Sequence, residues 1–101
     1  MGFDIALQTE RGEVIEAISD PRNVLHRVLE RAMPDQPRLA EIDWYGDTIF
    51  NRLQMTRFLS EWQSAAKHCE SAEEKELVNR VKALAQRCED GVHLYLKFIG
   101  D

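Results

Sequence analysis

The sequence predicts an α+β domain, a mainly antiparallel sheet of three or four strands with three helices packed on one face. Three observations support this. Phe3, Ile5 and Leu7 alternate with Asp4, Ala6 and Gln8, the two-residue period of a strand with one buried face. Val92, Leu94, Leu96 and Phe98 repeat the pattern against His93, Tyr95 and Lys97. Between these ends, three segments carry apolar residues at the spacing of a single helix face. The order β-β-α-(β)-α-α-β lacks the regular βαβ alternation that builds parallel sheets.

Each element has a local cause. Residues 13–18 form a second β-rich run after Thr9-Glu10-Arg11-Gly12, and Gly12 can adopt the left-handed backbone that closes a short hairpin loop. Val14 and Ile15 are adjacent, which leaves the register of that strand open. Asp20-Pro21 starts a helix, because the carboxylate can accept from free first-turn amides and proline loses no bond there. That helix runs to about Met33 on a stripe of Val24, Leu25, Val28, Leu29, Ala32 and Met33, and Pro34 and Pro37 end it before a surface segment, residues 35–38. A short strand over residues 48–50 follows.

Met55, Phe58, Leu59, Trp62, Ala65, Ala66 and Cys69 mark the second helix over four turns. Ser71-Ala72-Glu73-Glu74 reads as a capping box, in which hydroxyl and carboxylate satisfy each other's amides. The third helix buries Leu77, Val78, Val81, Leu84, Ala85 and Cys88 and stops at Asp90-Gly91. The C-terminal strand is expected beside the first. Cys69 and Cys88 fall near the ends of successive antiparallel helices, too far apart for a disulfide, so both read as reduced core cysteines.

Length and charge exclude several functions. At 101 residues and 44 % hydrophobic composition the chain suits one core and a single domain, residues 1–101. No apolar run approaches the ~20 residues of a membrane span, and the start lacks the basic and apolar stretches of a signal peptide, so a cytoplasmic protein without membrane contact is expected. The net charge of −5 with scattered arginines argues against nucleic acid and suits a basic protein partner. The glycines stand alone, and His26, His68 and His93 form no ligand pattern, so no nucleotide, metal or other cofactor is expected.

The densest chemistry lies in residues 43–52, where Asp43, Trp44, Tyr45, Asp47, Asn51 and Arg52 gather around Gly46. Acids four apart around a glycine commonly serve turns by binding nearby amides; an acid–base pair is the lesser reading, and no catalytic residue is assigned. Trp44, Tyr45 and Phe50 could anchor an interface beside Arg52, although Phe50 and one of Trp44 or Tyr45 are expected in the core.

Phe3-Asp4-Ile5, the run Tyr45-Gly46-Asp47-Thr48-Ile49-Phe50-Asn51-Arg52-Leu53-Gln54-Met55 and the closing His93-Leu94-Tyr95-Leu96-Lys97-Phe98-Ile99-Gly100-Asp101 together resemble a family of small bacterial proteins without an assigned function. The resemblance implies a bacterial, stand-alone, single-domain protein and transfers no catalytic residue. Size, acidity and α+β character are also those of toxin-neutralising immunity proteins. The expectation is therefore a non-enzymatic protein–protein interaction module, monomeric or weakly dimeric and acting as an immunity-type inhibitor of a basic partner. The alternative is a small enzyme or ligand-binding protein using the acidic site in residues 43–52.

Overall fold

A computed structural model describes residues 3–32 and 36–100. In chain order they form β1 (Phe3–Thr9), β2 (Val14–Asp20), α1 (Val24–Ala32), β3 (Asp47–Asn51), α2 (Met55–Ala65), α3 (Ala72–Asp90) and β4 (Leu94–Ile99), with single 3-10 turns at Leu39–Glu41, Arg52–Gln54 and Ala66–His68. The four strands make one antiparallel sheet in the order β2-β1-β4-β3. The α+β class, the element order and the placing of the C-terminal strand beside the first agree with the sequence.

The hairpin closes as its residues dictate. Gly12 takes φ 85°, and its amide donates to the Thr9 carbonyl at 2.9 Å. The ambiguity at Val14 and Ile15 resolves into a β-bulge: Leu7 pairs with Glu16 and Gln8 with Val14, leaving Ile15 without an opposite residue.

Two helix starts differ from expectation in detail. Asp20 is the last residue of β2, paired with Phe3, so the chain needs a turn before it can coil. Asn23 supplies that turn with φ 53°, and α1 begins at Val24 instead of Pro21. The capping chemistry survives the shift, because the two Asp20 carboxylate oxygens accept from the Val24 and Leu25 amides at 2.9 Å each. At α3, Ser71 Oγ accepts from the Glu74 amide at 3.1 Å, but the Glu74 carboxylate reaches past Ser71 to the Glu70 amide at 2.8 Å and takes the Arg31 guanidinium as well. The capping box is thus half formed. The expected end of the first helix, Met33 with Pro34 and Asp35, lies outside the described residues.

All three helices cover the sheet face that carries Phe3, Ile5, Leu7, Phe50, Leu96 and Phe98, and their apolar stripes close on it. Phe98 is the centre of this layer. Its ring lies 5.8 Å from Phe3, 5.9 Å from Phe50, 5.8 Å from Phe58 and 6.2 Å from Trp62. Phe58 and Trp62 stack at 5.3 Å, and the indole N–H of Trp62 donates to the Val78 carbonyl at 2.9 Å, which locks α2 to α3. Cys88 belongs to this core and Cys69 is only half-buried; the two are free thiols.

Truncating the aromatic centre should be among the costliest single changes. Phe98→Ala is expected to lose about 3–5 kcal/mol, a large part of the ~5–15 kcal/mol available to such a domain, read as a fall in the urea midpoint. Glu74 gives a pH test. Its hydrogen bond from the Glu70 amide, and then the Arg31 guanidinium, hold its carboxyl below the ordinary value of 4.5 despite burial. Its contribution to stability is therefore present above pH 4.5 and lost as the pH falls through the lowered value. Glu74→Gln should cost about 1–2 kcal/mol at neutral pH and flatten the acid limb of the stability curve.

Candidate functional site

The segment carrying the candidate residues is a turn, the edge strand β3 and a 3-10 turn in succession. Asp43 Oδ1 accepts from the Tyr45 amide at 2.9 Å, while the Asp43 amide donates to Thr48 Oγ1 at 2.8 Å. This is turn chemistry. Gly46 gives that carboxylate room, since a Cβ there would sit 2.8 Å from Asp43 Oδ2 and push the side chain aside. Gly100 then closes the turn from the other end of the chain: its amide donates to the Gly46 carbonyl at 2.7 Å, and a Cβ on it would fall 2.5 Å from the Trp44 carbonyl oxygen.

The aromatics divide as anticipated. Phe50 is buried, and Trp44 is half-buried against the Phe3 ring at 4.9 Å and the His26 ring at 4.3 Å. Tyr45 is 83 % exposed. Asp47, the first residue of β3, faces Lys97 of β4 at 3.4 Å. Asn51, the last, forms a complete capping box with Gln54: its Oδ1 accepts from the Gln54 amide at 3.1 Å, and its own amide donates to Gln54 Oε1 at 2.7 Å. Arg52 spends its Nε on the Glu89 carbonyl at 3.3 Å.

These residues therefore do not converge. Asp47 and Asn51 stand at opposite ends of a strand about 13 Å long, and Asp43 is bound to its own turn. Buried acid elsewhere is equally committed. Among the described residues the buried carboxylates are Asp20, Glu61 and Glu74, and Glu61 accepts from the Arg38 and Leu39 amides at 2.7 and 3.1 Å, as Asp20 and Glu74 accept from backbone amides at the starts of α1 and α3. Among the described residues no group of three His, Cys, Asp or Glu side chains is placed to hold a metal. Burial pushes the Cys88 thiol up to about 11, with the Glu89 charge adding to it, and raises Cys69 too, which opposes thiolate chemistry at both.

What the segment does build is a surface. Asn51 pairs with Tyr95, so the end of β3 meets the start of β4, and Asn51, Arg52, Leu53, Val92, Leu94 and Tyr95 surround a hollow of about 340 Å³. Leu53 is 88 % exposed and Val92 71 % exposed on its walls. Neither was singled out by sequence. Val92 belongs by alternation to the core face of the last strand, but His93 takes φ 57°, breaks the strand period and turns Val92 out, so that β4 begins at Leu94. His93 is consequently a loop residue, 3.4 Å from Glu10, and not a strand neighbour of Tyr95. The one signal for Leu53 is that it stands two residues before the Met55 stripe and off its spacing.

Comparison with known proteins gives no match, whether against protein-family models, curated proteins or solved structures. The likeness of residues 3–5, 45–55 and 93–101 to a small bacterial family thus has no family model behind it.

The turn and the surface should separate by mutation. Asp43→Ala is expected to cost about 0.5–1.5 kcal/mol through the lost hydrogen bond to the Tyr45 amide, whereas Tyr45→Ala should stay within about 0.5 kcal/mol. Urea denaturation measures both, and an equal loss would show that the exposed ring has a structural role.

Proposed function

We propose that the protein is a non-enzymatic protein–protein interaction module, cytoplasmic and of the immunity-inhibitor kind, whose partner is a basic protein. The observation that carries the reading is the pair Leu53 and Val92. Single exposed aliphatic residues are ordinary, but two lining one hollow together with Leu94 and Tyr95 make a shared apolar surface. Both are held by rigid devices, the Asn51–Gln54 capping box and the left-handed His93, so little entropy is lost when a partner covers them.

The charge supports the choice of partner. Glu10 and Glu13, with Arg11 between them, line a second shallow hollow that shares Val92 and His93 with the first. The net charge of −5 attracts a basic partner to the chain as a whole. The commitment of Asp20, Glu61 and Glu74 to backbone amides, and of Asp43 to its turn, leaves the acidic site of the enzyme alternative without a converging pair. Two free thiols suit a reducing compartment. No described helix is long and apolar enough to cross a membrane.

Val92→Asp should leave the circular dichroism spectrum unchanged and weaken capture of the partner from cell extract by at least about tenfold, the loss of roughly one buried aliphatic side chain. The captured protein, identified by mass spectrometry, should be basic. Equal capture by wild type and variant would remove the hollow from the function.

A further inference from the structure

We propose that β3 is a self-association edge, through which two copies of the chain pair antiparallel with Ile49 facing its own counterpart across a two-fold axis. The two four-stranded sheets then join into one of eight. The inference rests on the reading of residues 43–53 as a protein-binding surface, and it names a second copy of this chain as an occupant.

The two edges of the sheet are built differently. β2 is the more guarded edge, because a bulge breaks its register, although Val14 and Ile15 are exposed along it. β3 pairs with β4 over Asp47–Asn51 without a register break and holds no proline or lysine. Among the described residues it makes no backbone–backbone hydrogen bond other than to β4. Of its amides, that of Asn51 is taken by Gln54 Oε1. An edge of this kind offers its outer hydrogen-bonding groups to another strand.

The side chains along this edge are symmetric about Ile49. Tyr45, Ile49 and Leu53 are three of the large exposed apolar residues, at 83 %, 51 % and 88 %, and they fall four residues apart. With Ile49 opposite its counterpart, antiparallel register sets Asp47 of one copy against Asn51 of the other, and brings the turn that carries Tyr45 toward the 3-10 turn that carries Arg52 and Leu53. Each contact occurs twice. The charges agree with this direction: the Asp43–Asp47 end of one strand meets the Arg52 end of the other, where parallel pairing would oppose like to like. Asp47 is half-exposed and uses Oδ2 on Lys97, while among the described residues Arg52 uses Nε on the Glu89 carbonyl, so both retain hydrogen-bonding atoms for the second copy.

A five-residue strand pair with its flanking turns lies below the ~1,200 Å² of stable interfaces, so the dimer is a weak one, populated at about 100 µM protein and above. Sedimentation velocity over a concentration series tests it. Ile49→Glu is opposite Lys97 within its own sheet, which favours folding, but it opposes a carboxylate to itself on the axis. It should weaken the dimer at least about tenfold. Ile49→Cys should give a disulfide-linked dimer on mild oxidation, and Val14→Cys, on the other edge, should not. A wild-type chain that stays monomeric up to about 500 µM, an Ile49→Glu variant that still dimerises, or equal cross-linking at both cysteines overturns the proposal. Val92 lies outside the self-pairing contact, so Val92→Asp that loses an outside partner yet still dimerises separates this inference from the function proposed above.

Discussion

The fold depends on the insertion of β4 between β1 and β3, and on Phe98 within it. β4 is last in sequence among the strands, yet it is central in the sheet and carries the ring that Phe3, Phe50, Phe58 and Trp62 approach from three other elements. Without β4, β3 has no strand neighbour and the hairpin has one bare side. The helices pack on a surface that exists only once both chain ends have met.

Burying polar groups in such a small core requires that each be satisfied. Asp20, Glu61 and Glu74 meet this requirement in the same way, each accepting from backbone amides where an element begins, and Arg31 adds a cation that bridges α1 to Glu70 and Glu74 while its Nε holds the His68 carbonyl. These carboxylates join elements that the apolar stripes alone would leave free to slide. The same commitment removes them from any chemistry on a ligand.

Residues 43–53 gather their polar chemistry for geometry first. Asp43 and Gly46 make a turn that receives Gly100, and Asn51 with Gln54 ends β3 and launches α2. What is left over at the surface is apolar: Tyr45, Ile49 and Leu53 along the edge and Val92 across the hollow. An edge with unburied aliphatic and aromatic groups is the feature on which the proposed protein contact rests.

Much of this was legible in the residues themselves. Period and caps located the hairpin, the three helices and the closing strand, because hydrophobic spacing and capping side chains act within a few residues along the chain. Turn chemistry at Asp43 was legible for the same reason, as was the burial of Phe50, whereas the choice of Trp44 over Tyr45 as its companion was not. Tertiary structure alone decided the rest. The delay of α1 to Val24 follows from Asp20 being claimed by Phe3 in the sheet, and the reach of Glu74 to Glu70 from the position of Arg31 on α1. Gly100 is required because the turn at residues 44–46 lies against it, and Leu53 and Val92 share a hollow because Asn51 pairs with Tyr95. Each of these depends on two segments far apart in sequence meeting in space, and a local pattern carries no record of such a meeting.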